Sequence, residues 1–441
     1  MPDHTARQGL EARAAALALL GRVLQDGVAL DEALAADRGL DRLSVRDRAF
    51  ARALVAATLR RLGQIDAVLA GFIDRPLPEK AHAARAVLRL GAAQLFVLEA
   101  PPHAVVDTAV RLAEANGAER MKGLVNAVLR RCDREGRAAF AAADAARLNT
   151  PDWLWRSWQD AYGEDACRRI AAAHLDEPPL DLSVKTDDAA RWAAALGAEI
   201  LPGGMLRLRR AGMIASLPGF EEGAWWVQDA AAALPARVLL SSLGGRAEGR
   251  AVIDLCAAPG GKTAQLAAAG ARVVAVDRSE ARLATLRRNL DRLKLTAETV
   301  TADAAAWRSP APAEAVLLDA PCTATGTIRR HPDIPWLKGA GSAASVAATQ
   351  DALLRAAAAM VKPGGVLVYS VCSLQPEEGA ARIDALLAGL DGFAREAIAA
   401  GEAGAPEEAV TEAGDLRTLP CHMAAQGGMD GFYIARLRRA A

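Results

Sequence analysis

At 441 residues, 52% of them apolar, the chain is long enough for two or three domains with cores of their own. Its 53 basic residues balance 53 acidic ones, so no overall field marks a nucleic-acid partner, and the excess of Arg over Lys reads as genomic base composition. No apolar run is long enough to span a membrane and no charged-then-apolar leader opens the chain, so a cytoplasmic location is expected; six cysteines without a C-x-x-C pair exclude zinc ribbons and disulfide frameworks and are expected as reduced thiols, with no metal site.

Residues 1–140 carry helical periodicity and almost no strand signal. Helices are predicted over 12–24, 46–62, 81–98, 104–115 and 122–132, punctuated by Pro76, Pro78, Pro101-Pro102 and Asn116-Gly117. This all-α domain is mildly positive, with 21 basic residues against 17 acidic. Arg42, Arg46, Arg48, Arg52, Arg60 and Arg61 form one concentration, and Arg130, Arg131, Arg134 and Arg137 another. A solvated helix face is the ordinary meaning of such runs, with RNA contact as the rival.

A boundary falls near Leu148-Asn149-Thr150-Pro151, and residues 150–223 read as a small α+β module. Helices are expected at 153–162, 164–174 and 189–196, and a strand at 180–184. Trp153, Trp155 and Trp158 lie within two helical turns and read as packing rather than as base-stacking platforms. Residues 224–441 then alternate between strand and helix. Strands are predicted at 251–255, 272–276, 298–301, 315–318, 366–371 and 432–437, with helices at 262–268, 279–294 and 346–361. That alternation implies an α/β, Rossmann-like domain whose mostly parallel sheet is covered on both faces. The last strand, after Asp430-Gly431, is a candidate antiparallel addition.

The first of these strands runs into Asp254-Leu255-Cys256-Ala257-Ala258-Pro259-Gly260-Gly261-Lys262-Thr263. Small residues and paired glycines let a ligand approach the backbone, and the helix that follows offers free N–H groups. Gly-Lys-Thr suggests a P-loop, but that motif needs a glycine where Cys256 stands, and Asp254 would repel a triphosphate. Asp277, at the end of the next strand, suits ribose hydroxyls, and Asp303 suits an adenine amine. Acids at successive strand ends and no G-x-G-x-x-G point to a nucleoside cofactor without phosphates, S-adenosyl-L-methionine. Its expected contacts are Cys256, Ala257, Ala258, Pro259, Gly260, Gly261, Lys262, Asp277, Arg282, Asp303 and Asp319.

Cys322, in Asp319-Ala320-Pro321-Cys322, and Cys372, in Ser370-Val371-Cys372-Ser373, each follow an apolar strand. If the two strands are neighbours, about 4.8 Å apart, two thiols and the Asp319 carboxylate share one crevice. Such a set suits attack on an electron-poor ring carbon such as C6 of a pyrimidine. Cys132, Cys167 and Cys421 read as inert packing residues.

The residues 254–263, Asp319-Ala320-Pro321-Cys322, Arg329-Arg330-His331-Pro332-Asp333, Ser370-Val371-Cys372-Ser373 and Asp430-Gly431-Phe432 together resemble the RNA cytosine-5 methyltransferases of the NOL/NOP2/Sun family. The N-terminal half is similar to NusB through Ala86–Ala92, Pro101-Pro102-His103 and Val125–Arg131. The resemblance implies Cys372 as nucleophile, Cys322 as an aid to product release, Asp319 as acid at the ring, and a site role for Lys262. It also implies RNA as partner, 16S rRNA above all, for a protein expected to be monomeric. Arg329 and Arg330 are candidate phosphate contacts. Val371 stands where the family usually has Thr, Thr323-Ala324 where it has Ser-Gly, Ser183-Val184-Lys185 where it often has Arg-Val-Asn, and Gly379 where Asn is common. Other readings are a non-catalytic RNA-binding or ribosome-assembly protein and a cytosine-5 methyltransferase of tRNA or DNA; the DNA enzymes attack through a Pro-Cys motif, which would make Cys322 the nucleophile.

Overall fold

The structure, a computed structural model, describes residues 2–441, with side chains from residue 9 onward. The chain forms two compact units. One runs to Asp176 and takes in Arg330–Gly339; the other comprises Glu177–Arg329 and Ala340–Ala441.

The first unit is helical throughout its described residues. The Ser44 hydroxyl accepts the Asp47 N–H and caps Val45–Arg60, and Pro102, with its φ already set, opens Pro102–Ala115. Apolar side chains at helical spacing, among them Leu20, Leu54, Leu59, Ile65, Leu88, Val105 and Leu129, meet in one core. The helix predicted over 46–62 ends earlier, at an irregular Arg61 (φ −116°, ψ 19°), and a separate helix Leu62–Ala70 follows. The helix expected to stop at Cys132 runs on through a π turn, Cys132–Gly136. Helices Asp152–Tyr162 and Glu164–Ala173, grouped by sequence with the α+β module, belong to this unit. Trp155 and Trp158 are buried in it, as packing residues. The returning segment Arg330–Gly339 is fixed here too. Trp336 and Leu337 pack on the helical core, the Trp336 indole donates to the Leu59 carbonyl (2.9 Å), and Asp333 accepts the Leu30 N–H (2.9 Å).

The second unit opens with a four-stranded antiparallel sheet of β1 (Leu180–Val184), β2 (Glu199–Ile200), β3 (Leu206–Leu208) and β4 (Trp225–Val227), in the order β2-β3-β1-β4. Asp181 and Arg207 sit opposite each other on β1 and β3 and join through two 2.6 Å hydrogen bonds, both side chains almost wholly buried. Removing one partner strands the other charge in the core. Asp181→Ala is therefore expected to cost about 3–5 kcal/mol in chemical denaturation, and a loss below 1 kcal/mol would contradict that ledger of charges.

The larger sheet contains β5 (Ala251–Leu255), β6 (Arg272–Asp277), β7 (Glu298–Thr301), β8 (Ala313–Asp319), β9 (Val361–Val371), β10 (Phe393–Arg395), β11 (Leu416–Arg417) and β12 (Tyr433–Arg439). Its order is β10-β12-β9-β8-β5-β6-β7, with β11 also paired to β12. Strands β9 to β7 in that order are parallel, while β12 runs antiparallel to β9. Alternate residues supply two cores. Val252, Leu317 and Val368 meet Leu234 and Val238 of helix Ala230–Ser242, whereas Ile253, Leu318 and Leu367 meet Leu353 and Met360 of helix Ser342–Met360. Strand order reverses between β5 and β8. That switch point leaves a crevice beyond the carboxyl ends of the strands, the usual ligand site of such sheets.

Candidate active site

One wall of the crevice is the turn from β5 into helix Gly261–Ala268, and it holds Cys256, Ala257, Ala258, Pro259, Gly260 and Gly261. Gly260 has φ +103°, and a Cβ there would lie 2.7 Å from Leu286, so only glycine closes this turn without displacement. The first N–H groups of the helix have no partner within it. Asp277 ends β6. Its carboxylate accepts the Ala258 N–H (3.2 Å) and the Ser279 N–H (3.0 Å) and lies 3.3 Å from the Arg282 guanidinium. Arg282 also donates to the Ala258 carbonyl, so this acid–base pair holds both backbone groups of Ala258. Asp303 is exposed two residues beyond β7 and accepts the Ala305 N–H (3.0 Å).

Beneath the turn, Asp254 accepts a 2.6 Å hydrogen bond from the Thr263 hydroxyl, and its other oxygen has no hydrogen-bond partner. Burial pushes its pKa up to about 7. The Cys256 thiol is pushed up to about 12 by burial, with Asp319 and Asp277 adding to the shift, so this cysteine packs rather than reacts. Carboxylates around a turn of alanine, proline and glycine can accept ribose, amine and ammonium donors and would repel phosphates. The donor set therefore fits the cofactor.

The opposite wall carries the thiols. β8 and β9 are parallel neighbours with Asp319 opposite Ser370. Cys322 lies three residues beyond one and Cys372 one beyond the other, and their sulfurs are 3.4 Å apart, both partly exposed. The Lys262 ammonium reaches across from the cofactor turn to Asp319 Oδ2 (2.7 Å), and the Ser370 hydroxyl donates to Oδ1 (2.8 Å). Burial works against the charge on Lys262, but the Asp319 carboxylate more than offsets it, so the lysine pKa is raised and it stays a cation. It also lies 5.4 Å from the centroid of the Phe432 ring. Contact with the Cys372 thiol and burial together push the Cys322 thiol well above the ordinary range, so Cys322 keeps its proton while the pair is intact.

Cys372, Cys322, Asp319 and Lys262 thus converge, with Asp277, Arg282 and the turn along the same strand ends. Ser370 was not singled out by sequence, although it lies in the quoted Ser-Val-Cys-Ser; a serine in a strand gives no sign of which carboxylate it meets. Arg329 departs from expectation. It is 2% exposed, donates to the Gly427 carbonyl (2.7 Å) and faces Asp229 (3.4 Å) and Asp430 (3.6 Å), so it is a core cation and not a phosphate contact. Cys132 and Cys167 are buried, their thiols pushed up to about 12 and about 11.

A doubly wound sheet with acids at successive strand ends and a turn unsuited to phosphates defines a Rossmann-like methyltransferase that uses S-adenosylmethionine. Residues 243–438 match the family described as 16S rRNA methyltransferase RsmB/F, and residues 10–134 match the NusB family. Ribosomal RNA small subunit methyltransferase B of Pseudomonas syringae pv. tomato is 36% identical over 447 residues, covering 97% of each chain. The protein of that name from Vibrio cholerae is 36% identical over 395 residues, covering 86% of this chain and 89% of its own. Among solved structures, PH0851 superposes over 98% of both chains with a TM-score of 0.75 at 22% identity. A methyltransferase homolog from Pyrococcus horikoshii covers 67% of this chain and 97% of its own, with a TM-score of 0.55 and 27% identity. The chain belongs to the 16S rRNA methyltransferase RsmB/F family.

Asp277→Ala is expected to weaken S-adenosylmethionine binding by about 1.5–3 kcal/mol, the worth of a charge-assisted hydrogen bond. Titration calorimetry reads this directly; an unchanged Kd would remove Asp277 from the cofactor site.

Proposed function

We propose that the chain methylates C5 of a cytosine in 16S rRNA through a covalent bond between Cys372 and C6 of the base. The observation that carries this reading is the pair of thiols 3.4 Å apart at the ends of β8 and β9, beside the Lys262–Asp319 ion pair. Cytosine C5 is a weak nucleophile. Addition of the Cys372 thiolate at C6 breaks the 5,6 double bond and makes C5 an enamine carbon that can take a methyl group. S-adenosylmethionine supplies that methyl group when bound. At the N3 edge Asp319, protonated when the base is bound, gives its proton to the ring and regains it on release, while the Lys262 cation 2.7 Å away stabilises the intervening carboxylate.

Release reverses the first bond. Cys322 takes the C5 proton, the C5–H electrons re-form the double bond, and Cys372 leaves C6 as a thiolate. In the adduct Cys372 is a thioether and no longer shares the thiol contact, so the partly exposed Cys322 can pass its proton to water and then act as the base at C5.

In this reading residues 1–140 contact RNA, 150–223 connect, and 224–441 bind the cofactor and carry the chemistry, in the cytoplasm. Arg42, Arg46, Arg48, Arg52, Arg130, Arg134 and Arg137 are exposed, which suits phosphate contact. Among the described residues no helix is long and apolar enough to cross a membrane, and no cluster of His, Cys, Asp and Glu could hold a metal ion. The test is a map of 5-methylcytosine in 16S rRNA from cells with and without the gene. One position should lose its methyl group in the deletion and regain it on complementation; identical maps would sink the proposal.

A further inference from the structure

Glu378 follows Cys372 by six residues, in Pro376-Glu377-Glu378. In the fold it is fully buried. One carboxylate oxygen accepts the Thr323 N–H (2.8 Å) and the Gln350 side-chain amide (3.1 Å); the other accepts the Ser373 hydroxyl (2.6 Å) and the Thr323 hydroxyl. All four donors are uncharged, and a buried carboxylate is tolerated only where its lone pairs are taken up in this way.

The donors are not scattered. Thr323 immediately follows Cys322, and Ser373 immediately follows Cys372. Gln350 also donates to the carbonyl of Pro321 (2.9 Å), the residue before Cys322. The chain is therefore held on both sides of Cys322 by groups that Glu378 organises. The two cysteines differ in what else supports them. Cys372 directly continues β9, whose Val371 pairs with Tyr433 of β12, and its carbonyl accepts the Gly326 N–H (3.0 Å). Cys322 lies three residues past the end of β8, in an irregular turn with no strand pairing.

We propose that Glu378 is a positioning residue that sets the Cys322 sulfur against Cys372, and so governs release of the methylated base rather than attack on it. This rests on the covalent mechanism above. Glu378 does not touch the substrate; it acts through the Thr323 and Gln350 ties, and without them Cys322 drifts from the C5 proton while Cys372 stays on its strand.

The test uses the full chain with Glu378→Gln, which places an amide donor against groups that are themselves donors. Two RNAs are compared: a 16S rRNA transcript, and the same transcript made with 5-fluorocytidine. Fluorine at C5 cannot leave as a cation, so the fluorinated RNA traps the Cys372 adduct whether or not release works. On fluorinated RNA the variant should trap at the wild-type rate, and its S-adenosylmethionine Kd should be unchanged. On ordinary RNA its turnover should fall on the order of a hundredfold, the effect of a misplaced catalytic group, and the covalent complex should accumulate. Turnover equal to wild type would overturn the proposal. So would equal losses in trapping and in turnover, which mark general disorder of the site. If Glu378→Gln does not fold, Thr323→Val decides, because it removes one hydroxyl tie and should show the same accumulation in weaker form; its absence would overturn the idea. Failure of the wild type to trap fluorinated RNA would strike the covalent mechanism itself, a different outcome from any of these.

Discussion

Cys372→Ala is expected to yield neither methylated RNA nor a covalent complex, whereas Cys322→Ala makes the complex and cannot discharge it. With the sulfurs 3.4 Å apart, geometry alone permits either thiol to attack. The asymmetry rests on the family resemblance, which makes Cys372 the nucleophile; the upward push on the Cys322 thiol from contact and burial agrees with it. Loss of the nucleophile should lower turnover at least about 10⁴-fold. Loss of Cys322 leaves attack and methyl transfer in place, so a slow-migrating RNA–protein band should appear on a denaturing gel. The double substitution should remove that band. A band from Cys372→Ala alone would reverse the roles and make the Pro-Cys thiol the nucleophile.

Replacing Arg46, Arg48 and Arg52 with Gln is expected to weaken RNA binding strongly at low salt and little at high salt. All three are exposed on helix Val45–Arg60, and none is part of the thiol site. Each phosphate contact releases condensed counterions, so three lost contacts should reduce the slope of log K against log salt by about two to three. Single-turnover methylation at saturating RNA should be unaffected. A slope identical to wild type would mean that these arginines serve only as a solvated surface.

The parallel strands were legible because burial on both faces writes them as short apolar runs, such as Val252-Ile253 and Val316-Leu317-Leu318. The meeting of Cys322 with Cys372 followed from one further condition, adjacency of β8 and β9, which the fold meets. Strands β2, β3, β10 and β11 have two or three residues each, too few for a period of two to register, and their pairing is decided by tertiary contacts. Helix Ala230–Ser242 was not foreseen; it opens on four alanines and carries Pro235, so neither amphipathic spacing nor an unbroken run announces it. Arg329 misled because a basic pair resembles a phosphate contact, and its burial depends on Asp229 and on Asp430, 100 or more residues away in the chain. The return of Trp336 to the helical unit is likewise long-range, 277 residues from the carbonyl it meets. The part Glu378 plays was hidden for the same reason, since Thr323 and Gln350 reach its carboxylate only in the fold.

The most direct test of the covalent account is to recover the Cys322→Ala complex with 16S rRNA, digest the protein and the RNA, and identify the joined peptide by tandem mass spectrometry. The account predicts a cytidine nucleotide already methylated at C5 and bonded through sulfur to Cys372. A nucleotide on any other residue, or an adduct at Cys372 without the methyl group in the presence of S-adenosylmethionine, would contradict it.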